Sequence, residues 1–376
     1  MNSNKSPGLY IHVPFCLSKC HYCDFYSVTS LSRLFDFLEA LFKEMEIYHD
    51  TFRCFDTVYL GGGTPSLLNP VQLEEILKRV RENFELLPNS EITLETNPAD
   101  LDRGSLELIR DIGINRLNIG VQSFDQKVLS VLGRRHSVKQ AIGAIASSRE
   151  AGFTNIGLDL IYGIPGQRMD SWLETLTCAL SFNPEHLSCY QLTVEPRTPL
   201  GIRYQKGKFS LPNEDLQHEF FIKTAERLEG AGYVHYEVSN FVRDMKLASR
   251  HNQKYWDHTP YLGLGPSSHS FLNHQRWWND RSLDQYITVL RSGNLPIEDK
   301  EILTIEQLQM EALYLGLRTK KGIHLQDYTD QYLCDLLTEK GNVLTQLREE
   351  GFISIENGYL YPTRVGLAVA DSLALM

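Results

Sequence analysis

Residues 8–23 read GLYIHVPFCLSKCHYC. The first six, GLYIHV, have the β-branched and aromatic character of a strand. Three cysteines, Cys16, Cys20 and Cys23, follow it at once with C-x3-C-x2-C spacing. The same order of strand, polar or glycine-rich end, then helix repeats down the chain. TVYL at 57–60 runs into Gly61-Gly62-Gly63, and a helical pattern follows from about 70 to 86. EITLET at 91–96 alternates as a strand and carries Glu95 near its end. RLNIGV at 116–121 leads to Gln122 and Ser123, NIGLDLIYG at 155–163 contains Asp159, and HLSCYQLTV at 186–194 is the sixth strand. Helical stretches are expected at 31–50, 102–112, 125–132, 137–151, 168–182 and 213–230. Six β-then-α units predict a parallel sheet with right-handed crossovers. Chemistry placed at the ends of many strands is how barrels build sites, whereas an open sheet uses one switch point. The expected fold is therefore α/β, a partial (β/α)6 TIM-like barrel.

The chain has 376 residues, 42% hydrophobic and 22% charged, with a formal net charge of −10. These are globular values and exclude disorder or coiled coil as a description of the whole. The acidic balance argues against a nucleic-acid partner. No apolar run reaches the ~18 residues a bilayer span needs, and the first residues lack the apolar core of a secretory signal. A cytoplasmic location is the expectation. Seven cysteines are too few and too unevenly spread for a disulfide framework. Cys54, Cys178, Cys189 and Cys334 read as small core residues. The apolar burial expected at this size suffices for a monomer, and a weak homodimer stays open.

Three segments are expected: residues 1–235 as the barrel, 236–300 as a connecting region, and 301–376 as a small C-terminal domain. Within the second, HNQKYWDHTPYLGLGPSSHSFLNHQRWWND at 251–280 is rich in His, Trp, Gly and Pro and reads as an irregular functional loop. The third reads as helices at 304–317 and 329–349 followed by a hairpin turning at Asn357-Gly358. That α+β pattern resembles a winged helix. Residues 300–376 hold 7 Lys and Arg against 11 Asp and Glu, so a packing role is expected over DNA binding.

Three thiolates on a short loop can wrap one small inorganic object. A [4Fe-4S] cube held by three cysteines keeps one iron open to a small molecule. The alternatives are zinc held as Cys3His with His12 or His21, or inert thiols; zinc sites normally pair two knuckles, and the second is missing. The glycine run after the second strand lacks the Lys-Ser/Thr of a phosphate loop. Its bare backbone can approach an ammonium group closely.

Cys16, Cys20 and Cys23, with Tyr22 before the last, resemble the signature of the radical S-adenosylmethionine (SAM) superfamily. The resemblance implies a [4Fe-4S] cluster on these cysteines and SAM beside it. It implies SAM contacts at Tyr10, Tyr22, Gly62, Gly63, Thr64, Glu95, Gln122, Arg134 and Asp159. Glu95 and Gln122 can hydrogen-bond a ribose or the methionine end, and Arg134 offers a fork to a carboxylate. Asp159 in an apolar strand is an odd buried charge unless a ligand bonds it. Taken singly, Glu95 and Arg134 can be a surface ion pair and Tyr10 a core residue.

Within the superfamily the chain resembles the coproporphyrinogen-dehydrogenase-like group, from GLYIHVPFC through GGGTPS, LETNP, GVQSF, LGRRH and LIYGIPGQ to the C-terminal domain. The dehydrogenases carry a fourth cysteine two residues after the third and a longer N-terminal arm. Here Phe25 occupies that position and nine residues precede Tyr10. Both features match the heme-chaperone branch, as does His251-Asn252-Gln253-Lys254-Tyr255-Trp256. The implied function is to bind heme and pass it to apo-hemoproteins, membrane-bound respiratory ones among them. The alternative is oxidative decarboxylation of coproporphyrinogen III. No residue is assigned to catalysis. His251 is the candidate axial ligand, with His258 and His269 behind it; the competing reading is a His and aromatic cluster that closes the barrel.

Overall fold

In the computed structural model, residues 5–373 are described. The barrel units alternate strand and helix, with two helices between β4 and β5. They are β1 (Gly8–Val13), α1 (Leu34–Tyr48), β2 (Cys54–Gly62), α2 (Pro70–Asn83), β3 (Glu85–Thr96), α3 (Arg103–Asp111), β4 (Arg116–Gln122), α4 (Gln126–Leu132), α5 (Val138–Glu150), β5 (Ile156–Tyr162), α6 (Met169–Ser181) and β6 (His186–Gln191). Strands β1 to β6 pair in order, all parallel. Helix starts follow local chemistry. Asn69 and Ser137 close capping boxes on α2 and α5, and Asp102 and Asp125 cap α3 and α4. β3 starts six residues before the expected boundary, pairing through Glu85 and Leu86 across an irregularity. β6 stops at Gln191, three residues early. Leu192 N–H still bonds Tyr162 O, and the chain then leaves the sheet.

Further on come α7 (Pro199–Gln205), α8 (Glu214–Gly230), β7 (Val234–Glu237) and β8 (Asn240–Val242). The expected irregular loop at 251–280 is instead ordered. It holds α9 (Arg250–Trp256), β9 (Tyr261–Leu264), β10 (His269–Leu272) and β11 (Gln275–Asn279), and α10 (Leu283–Arg291) and β12 (Ile297–Ile302) follow. The strands are only four or five residues long and their turns dominate the composition. Asn273 and His274, at φ 50° and 65°, turn the β10–β11 hairpin without a glycine. These strands extend the sheet, whose order is β12-β11-β10-β9-β1-β2-β3-β4-β5-β6-β8-β7. β9 adds a seventh parallel strand beside β1, and both outer edges are antiparallel.

The C-terminal domain holds α11 (Ile305–Gly316), β13 (Ile323–His324), α12 (Leu325–Tyr332), α13 (Leu336–Glu349), β14 (Ile353–Glu356) and β15 (Tyr359–Pro362). Its sheet is β13-β15-β14, antiparallel, and the hairpin turns at Asn357 and Gly358 as expected. The single helix expected at 329–349 is two helices. Leu333 takes a left-handed φ of 55°, and Asp335 caps α13 by accepting from Leu337 N–H and Thr338 N–H. Among the described residues no helix is long and apolar enough to cross a membrane.

Side chains alternate across each central strand. Leu9, Ile11, Leu117, Ile119, Leu158 and Leu160 are fully buried in the main core cluster, together with helix residues such as Leu41 and Leu77. Their neighbours at the other parity face the barrel interior. The lower, N-terminal end of that interior is covered by α9. The Glu91 carboxylate accepts from the backbone N–H of both Arg250 and His251, each at 3.1 Å. The Lys254 ammonium bonds Ser6 O and pairs with Asp56. Glu91→Ala leaves two buried amide donors unmet and is expected to lower the unfolding free energy by about 2–3 kcal/mol in denaturant titration. A loss under about 0.5 kcal/mol would mean that α9 is held by its other contacts.

Candidate functional site

A cavity of about 660 Å³ runs down the barrel from the cysteine loop. It is lined by Tyr22, Cys23, Gly62, Gly63, Thr64, Glu95, Gln122, Arg134 and Asp159, so the structure brings these expected residues into one space. Tyr10 lies beside it: its hydroxyl is bonded to His12 Nδ1 at 3.1 Å, and its ring is 6.1 Å from that of Tyr59. Cys16 and Cys20 stand behind the upper wall, each with a partner from the lining. Thr64 Oγ1 donates to Cys16 Sγ and Arg134 Nη1 to Cys20 Sγ, both at 3.3 Å. Arg134 Nη2 also donates to Gly120 O at 2.8 Å, which fixes the guanidinium against β4. Burial pushes the Cys23 thiol up to about 11, with Cys20 and Cys16 close enough to add to the rise.

The donor set fits a cluster better than a single metal ion. All three cysteines are free. Among the described residues no group of three His, Cys, Asp or Glu is placed to hold one ion. Of the two histidines of the zinc alternative, His12 has both ring nitrogens bonded, Nδ1 to Tyr10 OH at 3.1 Å and Nε2 to Tyr26 O at 2.9 Å, while His21 bonds Val131 O through Nδ1 at 3.0 Å. The glycines have a packing reason as well. A Cβ on Gly62, at φ +104°, would meet the His12 ring at 2.5 Å, and one on Gly63 would meet Phe15 O at 2.6 Å. The strand end therefore packs directly on the chain that leads into the cysteine loop.

Two carboxylates occupy the middle of the cavity. Glu95 accepts from Tyr59 OH at 2.8 Å and from Gly62 N–H at 3.1 Å. Asp159 Oδ2 accepts from Asn118 Nδ2 at 2.7 Å, and its Oδ1 is buried without a hydrogen-bond partner. Burial pushes Glu95 up to about 7, aided by the charge of Asp159, and burial pushes Asp159 up to about 6. A buried pair of carboxyls with one open oxygen is suited to a cationic, hydroxylated ligand. Gln122 closes β4 at φ +65°, a left-handed backbone rare for such a residue. Phe25, two residues after Cys23, lines the cavity and is 71% exposed.

His251 lies at the other end. Its ring is 1% exposed, with Nδ1 bonded to Thr57 Oγ1 at 2.9 Å and Nε2 to Tyr255 OH at 2.9 Å. It stacks on Tyr59 with ring centres 5.1 Å apart, and burial holds it neutral, down to about 3. Neither ring nitrogen is left free to ligate an iron, and the residue closes the barrel from below. His258 is similarly engaged, with Tyr332 OH and Glu311, while His269 stacks on Trp278 on the edge sheet. Sequence reasoning missed Tyr59, Arg116, Asn118 and Ser188, which also line the cavity. The available signal was parity: Arg116, Asn118, Gly120 and Gln122 are alternate residues of one strand.

The model of the radical SAM superfamily matches residues 10–179, and that of the HemN C-terminal domain matches residues 303–369. The chain is 34% identical over 370 residues to the heme chaperone HemW of Bacillus subtilis (strain 168), covering 97% of each. It is 37% identical over 325 residues to the heme chaperone HemW of Mycobacterium tuberculosis (strain H37Rv), covering 85% of this chain and 83% of that one. Among solved structures, coproporphyrinogen III oxidase (HemN) from Escherichia coli, described as a radical SAM enzyme, superposes with a TM-score of 0.85. It covers 99% of this chain and 90% of that one at 24% identity, a likeness of fold.

Two outcomes are expected. A raised carboxyl pKa stabilises the fold relative to an ordinary carboxyl only while the unfolded chain is also protonated. From pH 4.5 to about 7 the unfolded chain ionises freely while folded Glu95 keeps its proton, so the contribution falls and then levels. The stability of Glu95→Gln relative to wild type should rise by about 2–3 kcal/mol between pH 5 and pH 8. A pH-independent difference would contradict the raised pKa. His251→Ala should cost about 2–4 kcal/mol of unfolding free energy by denaturant titration, from the cavity and two orphaned hydroxyls; an unchanged midpoint would show that the ring does not support the barrel.

Proposed function

Because the chain belongs to the HemW family of the radical SAM superfamily, we propose that it is a heme carrier. On this reading it binds heme and hands it to apo-hemoproteins, including membrane-bound respiratory ones, in the cytoplasm. The observation that carries the reading is the cavity that opens beside the three-cysteine loop and holds one of its thiols, a fixed guanidinium and two buried carboxyls. Cys16, Cys20 and Cys23 hold a [4Fe-4S] cluster. Tyr10, Tyr22, Gly62, Gly63, Thr64, Glu95, Gln122, Arg134 and Asp159 hold SAM. When bound, these groups supply one-electron chemistry at the mouth of the barrel.

The chain's own residues do the positioning. Thr64 and Arg134 each donate to a cysteine sulfur, which offsets the negative charge of the loop. Tyr59 and Asn118 orient the two carboxylates toward a cationic ligand. Phe25, in place of a further thiol, offers an exposed aromatic face beside the cysteines, a surface suited to a flat tetrapyrrole. His251 serves as a positioning residue beneath Tyr59.

Anaerobic reconstitution tests the reading. Wild type should take up iron and sulfide in equal amounts, and Cys16→Ser, Cys20→Ser and Cys23→Ser should each lose most of both. Heme-loaded protein mixed with an apo-hemoprotein should pass its heme on, seen as a shift of the Soret band. With SAM, a low-potential reductant and coproporphyrinogen III, no protoporphyrinogen should form. Catalytic formation of that product would replace the carrier by the dehydrogenase.

A further inference from the structure

The lowest part of the cavity contains a guanidinium with no carboxylate in direct contact; Asp159 acts on it only at longer range. Arg116 opens β4 at the N-terminal end of the barrel, 1% exposed, and lines the cavity. Its two hydrogen bonds both use Nη1, to Asn155 Oδ1 at 2.9 Å and Leu247 O at 3.0 Å. Nε is buried without a partner, and Nη2 lies on the side of Gly157. Among the described residues no carboxylate lies within ion-pair distance of this guanidinium. A buried, unpaired guanidinium is costly to keep unless something anionic meets it.

The surroundings converge on one point. His186, which opens β6 and is also 1% exposed, has Nε2 bonded to Tyr236 OH at 2.6 Å, and its Nδ1 is buried with no partner. Gly157 lies on the strand between β4 and β6, and the polar groups converge on it. A Cβ placed there would lie 2.6 Å from Asn118 Oδ1, 3.4 Å from His186 Nδ1 and 3.5 Å from Arg116 Nη2. Burial and the charge of Arg116 both hold His186 neutral. With Tyr236 as donor to Nε2, the ring proton sits on Nδ1 and joins the guanidinium as a second donor.

We infer that the barrel floor is a binding subsite for a carboxylate, held by Arg116 Nη2 and Nε with His186 Nδ1 beside them. Two coplanar guanidinium donors match the two oxygens of a carboxylate. The subsite lies at the opposite end of the strands from Glu95 and Gln122, below the carboxyls assigned to SAM. It accepts a small free acid or the acidic arm of a larger ligand seated above. The inference stands without the carrier reading, since it needs neither cluster nor turnover.

The test is thermal unfolding of the full chain in acetate at constant ionic strength. Wild type should show a saturable rise in Tm. Arg116→Met should raise the half-saturating acetate concentration at least about tenfold, the loss of a bidentate charge-assisted pair. A wild type without a saturable rise, or an Arg116→Met protein with unchanged half-saturation, would overturn the subsite. If Arg116→Met does not fold, wild-type crystals soaked in bromide decide. An anomalous peak within hydrogen-bond reach of Arg116 supports the subsite, and an empty or water-filled floor refutes it. A heme titration of both proteins separates the sources. Weaker heme binding by Arg116→Met assigns the carboxylate to heme's own arm, and equal binding assigns it to a separate small acid.

Discussion

The two-residue period of an extended chain is the constraint on which this molecule depends. Every central strand must present one face to the helices and the other to the barrel interior. The outer faces are leucine, isoleucine and valine, packed to full burial against the surrounding helices. The inner faces carry Tyr10 and His12, Tyr59, Glu95, Asn118 and Gln122, Asp159, and Ser188. A sheet with such an inner face cannot collapse on itself, because its polar groups need partners. The result is a central space whose walls are set by the same alternation that builds the core.

That space is layered by charge. Thiols and a guanidinium stand at the top, carboxyls in the middle, and a second guanidinium at the bottom. Each layer comes from a different height on the same strands: β4 alone supplies Arg116, Asn118 and Gln122. Burial raises the middle carboxyls, and Arg116 and Arg134 lie close enough to restrain Asp159 from above and below. A ligand entering from the cysteine loop meets a succession of environments, and its orientation follows from its own distribution of charge.

Much of this was legible in the sequence because strand ends concentrate chemistry. The cysteine spacing, the glycine run and the isolated Asp159 stand out against apolar neighbours, and all of them border the cavity or its wall. Tyr59 and Asn118 were not legible as single residues: a tyrosine or asparagine in a strand is ordinary until its parity is compared with Glu95 and Gln122. The stretch 251–280 was misjudged for a different reason. Its strands are short, and turns made by Asn273 and His274 lack the glycine that usually marks a hairpin. The His251 motif reads as a binding element by composition, yet its ring has been absorbed into hydrogen bonds with Thr57 and Tyr255, which only the packing of α9 reveals.

The C-terminal domain joins the barrel close to its floor. Lys320 N–H bonds Tyr236 O, Val238 N–H bonds Arg318 O, and Arg318 reaches Glu237, so the chain after α11 adds a short antiparallel rung at the edge of β7. Tyr236 meets His186 through its hydroxyl in the same place. One tyrosine thus has its backbone in the domain junction and its side chain in the cavity wall. The small domain is consequently tied to the same strand that braces the cavity wall: a chain shortened before residue 318 would leave Tyr236 O and Val238 N–H without their backbone partners and Glu237 without its arginine.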